Sequence, residues 1–295
     1  MPLEPYRGEP DVARLIAQIR GQPVDRVPHL EALVEDKHVE QVLGRYAGNT
    51  LAYGGDPAKG ADAAGGRPML GKDFVEFNQT GGQDILLVEC MWTPYRRRTP
   101  DGRLVSVTDR SVKGRQQWAE VFVATEETIA DRLGYIREYQ EAVKGTRMGV
   151  CLCGGSFFQT LYEFVVGMTD FMMLCYEQPD LVEEMLESGA SFFEQLTAAA
   201  VAQGIDVLFV GDDFAWKNGL FLPPQLFKEL WLGRMARVIA PAVNAGIPVI
   251  FHSDGKIDDA IEWLLDIGVE GITPMDPYAI DYRDYKKRFG NRICL

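Results

Sequence analysis

The sequence predicts a parallel (β/α)8 barrel, and three observations carry that expectation. Short apolar runs alternate with long amphipathic ones; the runs are rich in Val, Ile, Leu and Phe without clean alternation; and polar side chains gather at their C-terminal ends. Strands buried on both faces read as continuous apolar runs, and a repeated strand–helix–strand order calls for crossover connections within a parallel sheet. An open doubly wound sheet is the other packing of this pattern. It usually carries a G-x-G-x-x-G turn after its first strand, and none follows Val27–Glu31. Glu31, Glu89, Asp212 with Asp213, His252 with Asp254, and Asp276 stand at run ends, where a barrel places its chemistry.

In order, the expected strands are Val27–Glu31, Asp84–Cys90, Gly149–Cys153, Asp206–Gly211, Pro248–Asp254, Glu270–Thr273 and Arg292–Leu295. Helical patterns lie between them. Thr125–Val143 opens on Thr125 as N-cap, Asp180–Ala202 follows Pro179, and Pro223–Asn244 starts on a proline pair and stops before Gly246. Ser253 or Asp254 is placed to cap a helix reaching Leu265, closed by Gly268. Two insertions interrupt this order. Residues 44–71 hold eight glycines and read as a long loop suited to a lid. Residues 93–123 place Asp101-Gly102 between Arg96–Thr99 and Leu104–Thr108, then Glu120–Val123, the pattern of a hairpin with a third short strand on the rim.

The whole of 1–295 reads as one barrel domain, yet it supplies seven strands where eight are needed. The chain stops on the apolar Ile293-Cys294-Leu295, and a barrel short of a strand exposes two sheet edges. The expectation is a missing C-terminal segment of roughly one βα unit, ~30–50 residues, or completion by a partner chain.

Composition narrows the function. Thirty basic against 43 acidic side chains leave a net charge of −13, the opposite of the basic footprint needed on nucleic acid or an anionic membrane face. The most apolar helical stretch, Phe157 to Tyr176, is interrupted by Glu163 and Asp170, and no apolar leader opens the chain. Five cysteines, none in a C-x-x-C pair, fit a reduced, cytoplasmic setting.

The sharpest constellation is Phe251-His252-Ser253-Asp254-Gly255. Strand residues two apart face one side, so His252 and Asp254 project together. They suit metal binding or divided acid–base work; the structural alternative is a core histidine beside a helix-capping aspartate. In Gly211-Asp212-Asp213 adjacent carboxylates diverge, so at most one faces the site. Asp212 or Asp213 suits a general base, a metal ligand or the orienter of His252, and a salt-bridged turn is the alternative. Lys217 suits a carboxylate partner or a substrate anion. Glu31 and Glu89 reach toward the same cavity or pair with Arg96 to Arg98. Cys151-x-Cys153 puts two thiols on one strand face, as core or as soft ligands. Trp92, Tyr95 and Trp216 suit either a flat substrate or packing.

These residues resemble the uroporphyrinogen decarboxylase superfamily. The likeness is clearest from Gly204 to Leu295. It is carried by Gly211-Asp212-Asp213, by Leu222-Pro223-Pro224-Gln225-Leu226-Phe227-Lys228-Glu229, and by Gly246-Ile247-Pro248-Val249-Ile250-Phe251-His252-Ser253-Asp254-Gly255. Gly268 to Ile272, Phe289 to Leu295, and Asp25-Arg26-Val27-Pro28 extend it. The resemblance implies a (β/α)8 barrel with Arg292–Leu295 as its seventh strand.

It also implies one of two chemistries. True decarboxylases carry an arginine-rich stretch after the first strand and an aspartate after the second. This chain has His29-Leu30-Glu31 followed by residues up to Asp36, and Glu89-Cys90, acidic where a polycarboxylate needs cations. The other branch, corrinoid-dependent methyltransferases, holds zinc through a His-x-Cys pair and a later cysteine. His252 matches, Asp254 replaces the first cysteine, and the later one would fall beyond Leu295. The resemblance therefore implies a methyltransferase with zinc at His252 and Asp254. Asp212 or Asp213 would assist, and Glu31, Glu89, Trp216 and Lys217 would line the donor pocket. It would move a methyl group from a small O- or N-methyl donor to a corrinoid. No D-x-H-x-x-G signature is present, so that corrinoid would arrive on a partner protein. The alternatives are decarboxylation of a tetrapyrrole and non-catalytic tetrapyrrole or corrinoid binding.

Overall fold

The computed structural model describes residues 8–31, 34–48 and 69–295. Three helices come first: α1 (Val12–Ile19), α2 (Asp36–Leu43) and α3 (Gly71–Gly81). Strand β1 (Ile85–Glu89) leads into the rim insertion, with β2 (Tyr95–Arg98), β3 (Leu104–Ser106) and α4 (Arg115–Trp118). Then follow α5 (Thr125–Ala142), β4 (Gly149–Gly154), α6 (Phe157–Thr160), a π-helical turn (Leu161–Val165), α7 (Met168–Glu177) and α8 (Pro179–Gln203). The last part holds β5 (Val207–Gly211), β6 (Ala215–Trp216), β7 (Gly219–Leu220), α9 (Pro224–Asn244), β8 (Val249–His252), α10 (Ile261–Asp266), β9 (Gly271–Thr273) and α11 (Tyr282–Phe289).

The central sheet is parallel, in the order β1-β4-β5-β8-β9. Its register runs Glu89–Cys153, Cys153–Phe209 and Gly211–His252–Thr273. One parallel bridge, Gly271 to Cys294, extends it. No ladder joins its two ends among the described residues, so the observed architecture is α/β with a central parallel sheet where a closed barrel was expected. Two expected strands are reduced. Arg292–Leu295 contributes only Cys294, which exchanges backbone bonds with Glu270 and Ile272. Val27–Glu31 forms no ladder: Pro28 has no N–H to give, and the His29 N–H goes to the Asp84 carboxylate at 2.8 Å.

Each strand turns alternate residues to two cores. One face packs Leu86, Val88, Val150, Leu152, Leu208, Val210, Val249 and Phe251 against the helices. The other gathers Ile85, Cys151, Val207, Phe209 and Ile250 with Leu15 and Ile19 of α1. Helix α1 is fixed at the N-terminal end of the strands by Asp84, fully buried, whose Oδ1 meets Arg14 and Arg26, each at 2.8 Å. This leaves chemistry to the C-terminal ends.

The expected rim hairpin is present: β2 pairs antiparallel with β3, and Tyr95 exchanges backbone bonds with Phe122. Of the glycine-rich segment, residues 49–68 lie outside the described residues; α2 ends at Gly44 in the left-handed conformation, and α3 begins at Gly71. Two expected caps are not made. Ala124, not Thr125, stands at the N-cap of α5. Ser253 and Asp254 are used elsewhere, so α10 starts only at Ile261.

Candidate functional site

The C-terminal ends of β5 and β8 lie side by side, with Gly211 opposite His252 and the Asp212 N–H bonded to the His252 carbonyl at 3.1 Å. Past β5 the two carboxylates part. Asp212 is fully buried and turned away from the opening. Its Oδ1 accepts from the N–H groups of Phe158 (3.1 Å) and Gln159 (2.7 Å), and its Oδ2 from the Trp231 indole (2.8 Å). It thereby satisfies free donors at the start of α6, as an N-cap would. Burial pushes its carboxyl up, to about 8, against the pull of those donors.

Asp213 faces the opening. Its Oδ1 accepts the Asp254 N–H at 2.8 Å and lies 3.9 Å from His252 Nε2. Its Oδ2 accepts from Gln159 Nε2 at 3.3 Å, and its own N–H donates to Gln159 Oε1 at 3.3 Å. Burial raises the Asp213 carboxyl, while the Asp254 N–H and the neighbouring imidazole lower it. His252 packs its ring near Phe209, centroids 5.9 Å apart. Asp213, His252 and Asp254 bring one ligand atom each within 4.8 Å of one another, among the described residues.

Two local devices set this geometry. Ser253 is fully buried, gives its N–H to the Thr273 carbonyl (3.1 Å), and accepts the Phe214 N–H at 3.4 Å, locking His252 and Asp254 to either side. Gly255 has φ +86°, and a Cβ there would meet Trp216 N at 2.7 Å and the carbonyl carbons of Ala215 and Trp216 at 2.8 Å. Only glycine lets the chain pass so close to the β6–β7 hairpin. The Lys256 N–H then donates to the Trp216 carbonyl at 2.8 Å.

The remaining expected residues scatter. Glu89 ends β1, half-buried, in register with Cys153 on the face that carries His252. Trp216 and Lys217 are exposed on the β6–β7 hairpin. Glu31 is exposed beside His29, 3.6 Å away. Arg96 and Arg98 pair with Asp109 and Glu127 rather than with Glu31 or Glu89. Cys151 and Cys153 are free thiols raised by burial, a state that makes poor nucleophiles. Trp92 is buried against Gly189.

Sequence reasoning missed Gln159, Tyr162 and Glu163. Gln159 and Glu163 stand four apart and are joined by Gln159 Nε2 to Glu163 Oε2 at 3.0 Å. Tyr162 lies in the π-helical turn against Phe158 and Phe221. Burial, then the charges of Asp213 and Asp212, raise its phenol well above the ordinary range, so it stays a neutral hydroxyl. The i, i+4 pair was the readable signal; a π turn leaves no such mark.

The described residues contain no helix long and apolar enough to cross a membrane. A family model described as Uroporphyrinogen decarboxylase (URO-D) matches residues 100–295. Among solved structures, a methyltransferase from Methanosarcina mazei superposes with a TM-score of 0.64 at 15% identity, over 97% of this chain and 82% of its own. That likeness is one of fold. No curated protein matches the sequence.

Proposed function

The chain belongs to the uroporphyrinogen decarboxylase family, and from that premise we propose that it is a methyltransferase. It moves a methyl group from a small O- or N-methyl donor to the corrinoid of a separate protein. One observation carries the reading: an imidazole and two carboxylates converge within 4.8 Å at the strand ends. One nitrogen and two oxygen donors suit a borderline divalent cation such as zinc. Asp213, His252 and Asp254 would hold it, Asp213 taking the metal-ligand role that was one of its three readings from the sequence. When bound, such an ion supplies Lewis acidity toward the heteroatom that carries the methyl group.

The protein groups have separate tasks. The Asp254 N–H fixes Asp213 Oδ1 on the imidazole side. Tyr162, held neutral, offers a hydroxyl donor beside the carboxylates. Asp212 holds α6 and the indole of Trp231 and acts as a positioning residue. Exposed Trp216 and half-buried Glu89 border the donor pocket in this reading. Carboxylates around the opening disfavour a polyanionic porphyrinogen by like-charge repulsion.

The test has two parts. Metal analysis of the purified protein should find one zinc per chain, lost in His252→Ala. Reduced cob(I)alamin with a panel of methoxylated and methylamine donors should give methylcobalamin with the native protein and none with the variant. Carbon dioxide release from a porphyrinogen, equal in both proteins, would replace this reading with decarboxylation. Cobalamin binding without turnover would replace it with a non-catalytic role.

A further inference from the structure

We propose that Gln159 is a positioning residue that sets the metal affinity of the Asp213–His252–Asp254 cluster by clamping Asp213 from behind; this rests on the reading above. The carboxamide makes three contacts. Its Nε2 spends one hydrogen on Glu163 Oε2 at 3.0 Å and the other on Asp213 Oδ2 at 3.3 Å, while Oε1 accepts the Asp213 N–H at 3.3 Å. These contacts fix which way the amide points. Turned over, its oxygen would face two carboxylates and its NH2 would face a backbone donor.

Asp213 is thus held at both ends. Oδ2 is tied to Gln159, and Oδ1 is left toward the Asp254 N–H and the imidazole. Without the clamp only the Asp254 N–H holds the carboxylate, so it turns more freely about its Cβ–Cγ bond and the oxygen at 3.9 Å from His252 Nε2 is less firmly placed for the cluster. The clamp is itself anchored. The Gln159 backbone N–H sits on Asp212 Oδ1 at 2.7 Å, and that carboxylate also receives the Trp231 indole. Asp212 therefore acts on the cluster through Gln159, and the two adjacent aspartates are coupled across α6. Partners that orient ligands in this way typically matter 10–100-fold in metal affinity.

The experiment titrates the metal-free full-length chain with Co2+ and follows the visible d–d absorption of the bound ion. Native protein, Gln159→Leu, Gln159→Asn and His252→Ala are compared at one pH, with thermal unfolding of each. Expected is one Co2+ per native chain, none in His252→Ala, and a 10–100-fold weaker site with an altered d–d spectrum in Gln159→Leu. Gln159→Asn, whose shorter amide cannot span to both carboxylates, guards against a leucine variant that fails to fold and should weaken binding likewise. If Gln159→Leu and Gln159→Asn bind as the native chain does while His252→Ala does not, the clamp is refuted and the metal site stands. If native protein and His252→Ala behave alike, both the clamp and the metal site fall. A lowered melting temperature with unchanged affinity and spectrum would assign Gln159 a structural role only, and would also refute the clamp.

Discussion

Substituting Gly255 by alanine probes how the site is held. At φ +86° an L-residue pays ~1–2 kcal/mol for the left-handed backbone. The added Cβ meets backbone atoms of Ala215 and Trp216 at 2.7–2.8 Å, where no flexible side chain can yield; overpacking of this kind costs ~1–3 kcal/mol. Gly255→Ala should therefore lose about 2–5 kcal/mol. Gly219, in the same hairpin at φ +142°, is the control, because nothing lies within 4 Å of its Cβ position. Gly219→Ala should show backbone strain alone, ~1–3 kcal/mol. Equilibrium urea unfolding followed by tryptophan fluorescence measures both, with m-values checked for constancy. Because Asp254 adjoins Gly255 and gives its N–H to Asp213, Gly255→Ala should also weaken Co2+ binding, and Gly219→Ala should not. A Gly255→Ala protein no less stable than Gly219→Ala, with native Co2+ affinity, would refute the contact argument.

Two further outcomes follow from the buried carboxyl of Asp212 and the half-buried one of Asp206. Asp212→Ala leaves the N–H groups of Phe158, Gln159 and Trp231 without their acceptor; at ~1–3 kcal/mol per stranded donor the loss should reach at least about 3 kcal/mol in urea unfolding, and a cost under 1 kcal/mol would show that those donors find other partners. Burial raises the Asp206 carboxyl, so the folded chain keeps that proton to higher pH than the unfolded chain. The stability held by its neutral form is present at acid pH and is lost as pH rises through the folded value. Asp206→Asn, whose amide oxygen can still accept the Val150 N–H now bonded at 2.8 Å, should flatten the fall in melting temperature as pH rises above the ordinary aspartate value of about 4, and an unchanged slope would contradict the assignment.

Much of this arrangement was legible in the sequence because burial on two faces writes itself into composition. The runs at Asp84–Cys90, Gly149–Cys153, Asp206–Gly211, Pro248–Asp254 and Glu270–Thr273 each match an observed strand to within two residues at either end. Where side-chain chemistry competes with pattern, the reading failed. Val27–Glu31 has strand composition, yet Pro28 and the Asp84 carboxylate divert it. Ser253 has capping chemistry, yet its hydroxyl is taken by the Phe214 N–H and the Asp254 carbonyl. Divergence of adjacent carboxylates told that Asp212 and Asp213 would separate; which one turned inward depended on Trp231 and α6, which no local spacing encodes. Gln159 was missed because only its pairing with Glu163, one helical turn away, is local, while Asp213, the partner that brings it to the site, lies 54 residues away.

The sharing of Asp212 between two helices has an evolutionary corollary. Three stretches of chain, around residues 158, 212 and 231, hang on a single side chain, so a change in one must be answered in the others. The hairpin of residues 95–106 is fastened differently, by exposed ion pairs such as Arg98 with Glu127, which drift can rewrite at little cost. Descendants should thus diverge first in that hairpin, and alter the interior trio only by concerted replacement.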